Sequence, residues 1–135
     1  MTRPAFPKID RRTLVAGALG AALLPIEVMA MSETAGMHGL IGKMRAQPGQ
    51  RDALIAILLE GTGGMPGCLS YVVAKDPADA DAIWITEVWD SRASHAASLR
   101  LPAVRAAIQR GRPLIAGFDS SQETIPVGGA GLPRS

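Results

Sequence analysis

Residues 66–90 read PGCLSYVVAKDPADADAIWITEVWD, two apolar runs facing each other across a short acidic turn. Cys68–Lys75 and Ala82–Trp89 are rich in Val, Ile, Tyr and Trp, side chains that suit a pleated, half-buried surface. The six residues DPADAD between them carry turn chemistry. The stretch predicts a β-hairpin. Segments 49–60 and 91–114 on either side have apolar stripes that need a sheet to cover, which puts the hairpin at the centre of the core.

Residues 1–30 have a different character. A basic start ends in Arg11-Arg12, the apolar run LVAGALGAALL follows at 14–24, and Pro25 leads to the small-residue site Val28-Met29-Ala30. These are the three parts of an export signal. The run falls short of the ~20 residues that a membrane span needs. Arg11-Arg12-Thr13-Leu14-Val15 resembles the twin-arginine motif, with Asp10 in place of the usual Ser or Thr. The expectation is an exported, periplasmic protein that meets a membrane only through this signal. Translation from Met31 would instead leave it in the cytoplasm.

Residues 31–37 read as a linker, and HGLIGKMRA at 38–46 as a first strand ended by Pro48-Gly49. From Gln50 the period changes: Ala53, Leu54, Ile57 and Leu58 recur at helical spacing. Ile55 and Leu59 widen that surface, which predicts a helix buried on more than one side, by a partner subunit or a loop. Gly61, Gly63 and Gly64 stop it. Ser91 is placed to cap a helix running to Arg100, and Leu101-Pro102 breaks it, Pro102 suiting the first turn of a second helical piece. Val104, Ala107, Ile108 and Gly111 line one side of that piece, Arg105 and Arg112 another. A last strand is expected over 118–127, then a loose tail over 128–135. The order β-α-β-β-α-β over 38–127 is the split βαβ arrangement of the ferredoxin-like α+β class, with an antiparallel sheet.

Charge excludes one class of partner. With the first thirty residues set aside, ten basic and ten acidic residues remain in 31–135, so no basic footprint for nucleic acid exists. The single Cys68 rules out an intrachain disulfide and a cysteine-cluster metal site. His38 and His95 are far apart in the sequence, with no shared carboxylate spacing, so no metal site is predicted. The Gly-rich stretch 61–67 follows a helix rather than a strand, which gives flavin or nicotinamide binding no support. No cofactor is expected.

Pro48-Gly49 before the first helix, Pro66-Gly67-Cys68-Leu69-Ser70-Tyr71 opening the second strand and Glu87-Val88-Trp89-Asp90-Ser91 entering the second helix resemble the antibiotic biosynthesis monooxygenase family of dimeric α+β barrels. The resemblance runs from about 38 to 127. It implies a homodimer of two four-stranded sheets packed face to face, with a small-molecule pocket between each sheet and its own helices. It also implies one of several chemistries: cofactor-free oxygenation of quinols and polyketide phenols, haem degradation, or non-oxidative isomerisation. Where many members carry a histidine in an AHL triplet, and another after the proline, this chain has Ser98 and Ala103. His95, three residues before Ser98, lies on the same helical side about one turn earlier. The Asn, Trp and His of the haem-degrading branch fall on Gly42, Ser98 and Ile108, so that chemistry is not expected.

Cofactor-free oxygenation needs a substrate that supplies its own electrons as a phenolate or enolate, and a protein that removes a proton, holds a flat ring and excludes water. His95 is the residue whose ordinary pKa suits a base near neutrality; His38 reads as an exposed strand end. Trp89 and Glu87 share one face of their strand, Trp84 and Thr86 the other, and Trp89 is the expected pocket wall. Ser98 is expected as a polar pocket contact. Tyr71 hydrogen-bonds a substrate oxygen or ties down the sheet; Arg105 and Arg112 hold an anionic group or sit solvated; Cys68 reads as a small buried hydrophobe. The leading expectation is a cofactor-independent monooxygenase on a small aromatic, quinol or polyketide-like substrate. Its rivals are an isomerase or cyclase in the same pocket, and a non-catalytic small-molecule binder.

Overall fold

A computed structural model describes residues 36–133; the leader lies outside the described residues. The elements in order are β1 (His38–Ala46), α1 (Arg51–Gly61), β2 (Cys68–Lys75), β3 (Ala82–Trp89), α2 (Arg92–Ser98), α3 (Pro102–Gly111), a 3₁₀ turn at Arg112–Leu114 and β4 (Ile115–Thr124). The strands form one sheet in the order β2-β3-β1-β4, each neighbouring pair antiparallel. This is the ferredoxin-like α+β arrangement.

Alternation along the strands decides what each face does. Met44 and Ala46 of β1 and Ile83 and Ile85 of β3 are buried, and they form one core cluster with Leu54 of α1. Trp89, Met65 and Val104 form a second cluster. Tyr71 packs against both. On the opposite face Ile41 and Val72 stay exposed. There Trp84 donates its indole N–H to Asp76 (2.9 Å) while the Lys43 ammonium lies 5.4 Å from its ring centre. Asp76 also accepts from the Ala78 and Asp79 amides, which closes the hairpin turn. The Trp84, Ala78 and Lys43 contacts hold its carboxyl down to about 2.

Helix ends follow local chemistry. Ser91 caps α2 by accepting from the Ser94 amide (3.1 Å), and Pro102 occupies the first turn of α3. At Gly61 an added Cβ would collide with the Ala107 Cβ, so that missing side chain lets α1 and α3 approach closely.

One boundary departs from the sequence expectation. The last strand occupies 115–124 rather than 118–127, because Arg112-Pro113-Leu114 tightens into a 3₁₀ turn that delivers Ile115 directly opposite Ala46. Pro126, lacking an N–H, stands just past its end. In the single chain the buried stripe of α1 is narrow. Leu54 is 1 % exposed, whereas Leu59 is 56 % exposed and Ala53 faces solvent in the single chain. Among the described residues no helix is long and apolar enough to cross a membrane.

Candidate active site

The helices do not fill the space over the sheet. Between the two core clusters lies a cleft of about 510 Å³. Its walls are mostly apolar: Met44 and Trp89 from the sheet, Leu54, Ile57 and Leu58 from α1, Val104, Ala107 and Ile108 from α3. Phe118 and Arg112 also line it, and Tyr71, Glu87, His95 and Ser98 are its polar members toward the Trp89 end.

Backbone geometry puts His95 there. Gly67, at φ +79°, takes the left-handed turn before β2, and its carbonyl accepts from the Asp90 amide (2.8 Å). An added Cβ would run into Ser94 and Asp90. The close approach seats the start of α2 on the mouth of the hairpin, so that the first turns of the helix overhang the Trp89 end of β3.

The polar groups form a connected set. Glu87 and Trp89 point the same way along β3, and the Trp89 indole N–H donates to Glu87 Oε2 at 2.8 Å. His95 Nε2 stands 3.8 Å from that same oxygen, with side chains 25 % exposed for His95 and 17 % for Glu87. The His95 ring meets Trp89 edge-on (5.4 Å between centres, 63°) and lies 5.5 Å from the His38 ring. Tyr71 is paired with Glu87 across β2 and β3. Its burial, then the Glu87 charge, push the phenol up, so it stays protonated. Cys68, packed against the Trp89 cluster, is likewise pushed up by burial and by Glu87, which suits the small-hydrophobe reading. Among the described residues no group of three or more His, Cys, Asp or Glu side chains is placed to hold a metal ion.

The structure therefore brings His95, Trp89, Ser98 and Tyr71 to one cleft. Ser98 is buried and donates its hydroxyl to the His95 carbonyl (2.6 Å), which leaves its oxygen as an acceptor. Trp89 is 1 % exposed with its N–H engaged, so it makes the floor of the cleft rather than a free-standing ring. Arg105 does not line this cleft; it borders a shallower depression with Leu99, Ile108, Gln109 and Arg112. The expectation for His38 is corrected: it is 6 % exposed, because β1 pairs with β3 so that His38 lies opposite Trp89. Two participants went without a role in the sequence, Glu87 and Phe118. Alternation along β3 already put Glu87 beside Trp89. Nothing local placed Phe118, whose position depends on a shift in register beside Met44.

His38 carries a pH prediction. Burial lowers its imidazole from 6.5, Arg92 and His95 add to that, and Glu123 and Glu87 oppose it. A lowered folded value means the unfolded chain binds the proton first, so the stability this neutral ring supports is complete above about 6.5 and declines as pH falls below it. The expected result is a thermal midpoint of wild type that drops relative to His38→Gln between pH 7.5 and pH 5. Parallel curves for the two proteins would remove this account of His38.

These features define a small α+β protein of the ferredoxin-like class with a largely apolar internal cleft. Residues 37–110 match the model of the antibiotic biosynthesis monooxygenase family, and the chain belongs to that family. Membership carries a general monooxygenase-like role. A crystal structure from Chloroflexus aurantiacus J-10-fl, described as an antibiotic biosynthesis monooxygenase, is 72 % identical, with a TM-score of 0.71 over 72 % of this chain and 99 % of that chain. A Pseudomonas aeruginosa protein is 18 % identical with a TM-score of 0.62, over 70 % of this chain and 98 % of that one. One from Caulobacter crescentus CB15, also described as an antibiotic biosynthesis monooxygenase, is 18 % identical with a TM-score of 0.60, over 70 % and 91 %. The last two show likeness of fold alone. A comparison with curated proteins gives no match.

Proposed function

We propose that the protein is a cofactor-independent monooxygenase that oxidises a small aromatic, quinol or polyketide-like substrate in this cleft. The observation that carries the reading is an imidazole and a carboxylate, His95 and Glu87, placed together at one end of an otherwise apolar cleft. An apolar wall holds a flat ring and excludes water; the imidazole takes the proton that turns a phenol or enol into an electron-rich anion. That anion reduces dioxygen. One oxygen atom enters the substrate and the other leaves as water, so a quinol with dioxygen gives a hydroxyquinone and water, all electrons coming from the substrate. Ser98 and Tyr71 offer further polar contacts to the ring oxygens.

The expected result is oxygen uptake by the purified chain with a reduced quinone or an anthrone-type phenol, one dioxygen per product, and no turnover under argon. Turnover at an unchanged rate under argon would establish an isomerase or cyclase instead. Thermal stabilisation by the ligand without product would indicate a binding protein.

The reading includes a homodimer. Val72, Ile41 and Gln122 lie on the face away from the helices, in one row across the sheet through Thr86, and Val72 and Ile41 are exposed in the single chain. Burying them against a second copy removes that apolar surface from water. Sedimentation should give a dimer for wild type and a monomer for the Ile41→Glu, Val72→Glu double variant; a monomeric wild type ends this part of the reading. Export through the leader at 1–30 remains part of the proposal, and the N-terminus of periplasmic protein, expected just after Ala30, tests it.

A further inference from the structure

We infer that Glu87 is the specificity-determining residue of the cleft. It accepts the hydroxyl hydrogen of a neutral substrate and so selects the reduced, O–H-bearing form over its methylated or carbonyl counterparts. The identity of the reaction rests on the oxygenase reading above; the binding preference does not.

Glu87 is a carboxylate set in an apolar wall, where an ionised group needs donors to replace the water it has lost. One is built in, the Trp89 indole N–H on Oε2. His95 Nε2, at 3.8 Å from that oxygen, lies beyond hydrogen-bond reach. Oε1 has no protein partner among the described residues. Among the described residues no Lys or Arg forms a salt bridge with it, although Arg112 lines the same cleft. The titratable groups around the pair are Tyr71 and Cys68 on β2, His38 on β1 and His95 on α2, while the charges contributed from α2 and β4, Arg92 and Glu123, are paired with each other at 2.9 Å. Tyr71 remains a neutral phenol and His38 favours its neutral ring. The Glu87 carboxylate repels a carboxylate or phosphate brought against it and takes no hydrogen from an ether or ketone oxygen, which has only Tyr71 or Arg112 elsewhere in the cleft as donors. A hydroxyl group supplies the missing hydrogen.

The same arrangement orders the chemistry. The hydroxyl held on Glu87 then turns its hydrogen to the neighbouring His95 Nε2, and the proton passes to the ring: the substrate O–H bond breaks, an N–H bond forms, and the electron pair stays on the substrate oxygen. The resulting imidazolium then faces the Glu87 carboxylate. An oxidised product whose ring oxygens have become carbonyls has lost the donor that held it, which favours its release.

The test is calorimetric titration of the purified chain under argon with naphthol and with its O-methyl ether, for wild type and Glu87→Gln, whose amide oxygen can still accept from Trp89. Wild type is expected to bind naphthol about tenfold or more tighter than the ether, although the ether is the more apolar molecule, and the variant to bring the two within about threefold. Equal or weaker binding of naphthol by wild type overturns the inference without recourse to any variant. So does a folded Glu87→Gln protein that keeps the wild-type ratio, and so does failure of both compounds to bind, which removes the oxygenase reading as well. A preserved preference with no oxygen uptake in air removes the oxygenase reading alone and leaves Glu87 as a hydroxyl-reading residue.

Discussion

Replacing His95 with alanine is expected to lower oxygen uptake on a phenolic substrate by about 10²–10⁴-fold, the range for losing a positioned general base. The loss should fall on kcat, with KM changing little, because the apolar walls that bind the ring are left in place. Stability should be nearly retained: the side chain is already 25 % exposed, and alanine is the best helix former in α2. Added imidazole can enter the space vacated between Trp89 and His38 and should restore part of the rate. Measurement is by an oxygen electrode at saturating substrate, with circular dichroism to check the fold. A variant as active as wild type would show that the proton leaves by another route and would falsify the assignment of His95 as base.

Leu54→Ala should be a strongly damaging truncation in the cluster between α1 and the sheet. Leu54 is 1 % exposed and stands among Met44, Ala46, Ile83 and Ile85, the cluster that joins α1 to the sheet. Removing a buried leucine to alanine costs about 2–5 kcal/mol, through lost burial and the cavity left behind. Because Leu54 also lines the cleft, part of the vacated volume merges with existing space, and the lower half of that range is expected. For a domain of this size each lost kcal/mol lowers the thermal midpoint by roughly 4–8 °C. Leu59→Ala, about 140° round the helix from Leu54 and 56 % exposed, is the internal control and should change stability by no more than about 0.5 kcal/mol in a monomer. If Leu59→Ala proves as costly as Leu54→Ala, a partner subunit covers that side of α1, as the apolar width of the helix suggested. Denaturant melts at two protein concentrations separate the cases.

Much of this architecture was legible because the relevant forces act between near neighbours in the chain. The period of two in 68–75 and 82–89 identified both hairpin strands, and it put Trp89 with Glu87 and Trp84 with Thr86 on opposite faces. Ser91 and Pro102 marked the helix starts through backbone N–H groups a few residues away. The last strand was misplaced by three residues because the turn at 112–114 depends on how Gln47 and Ala46 receive the chain from across the sheet. The exposure of His38 was misjudged for a similar reason. As the first residue of a strand it looks terminal, yet its neighbours are supplied by β3 and α2, more than forty residues later.

What the order of amino acids determined without help is the set of elements, their apolar faces and the residue types available for chemistry, since propensity, capping and alternation are local. Only the folded chain decided which of those residues meet. The cleft exists because α1 and α3 lean together at Gly61 and Ala107 without filling the sheet beneath them. Glu87, Trp89, His95 and His38 converge because strand register and the Gly67 turn carry distant segments to one place, and the free energy of such contacts comes from long-range packing that no window of sequence contains.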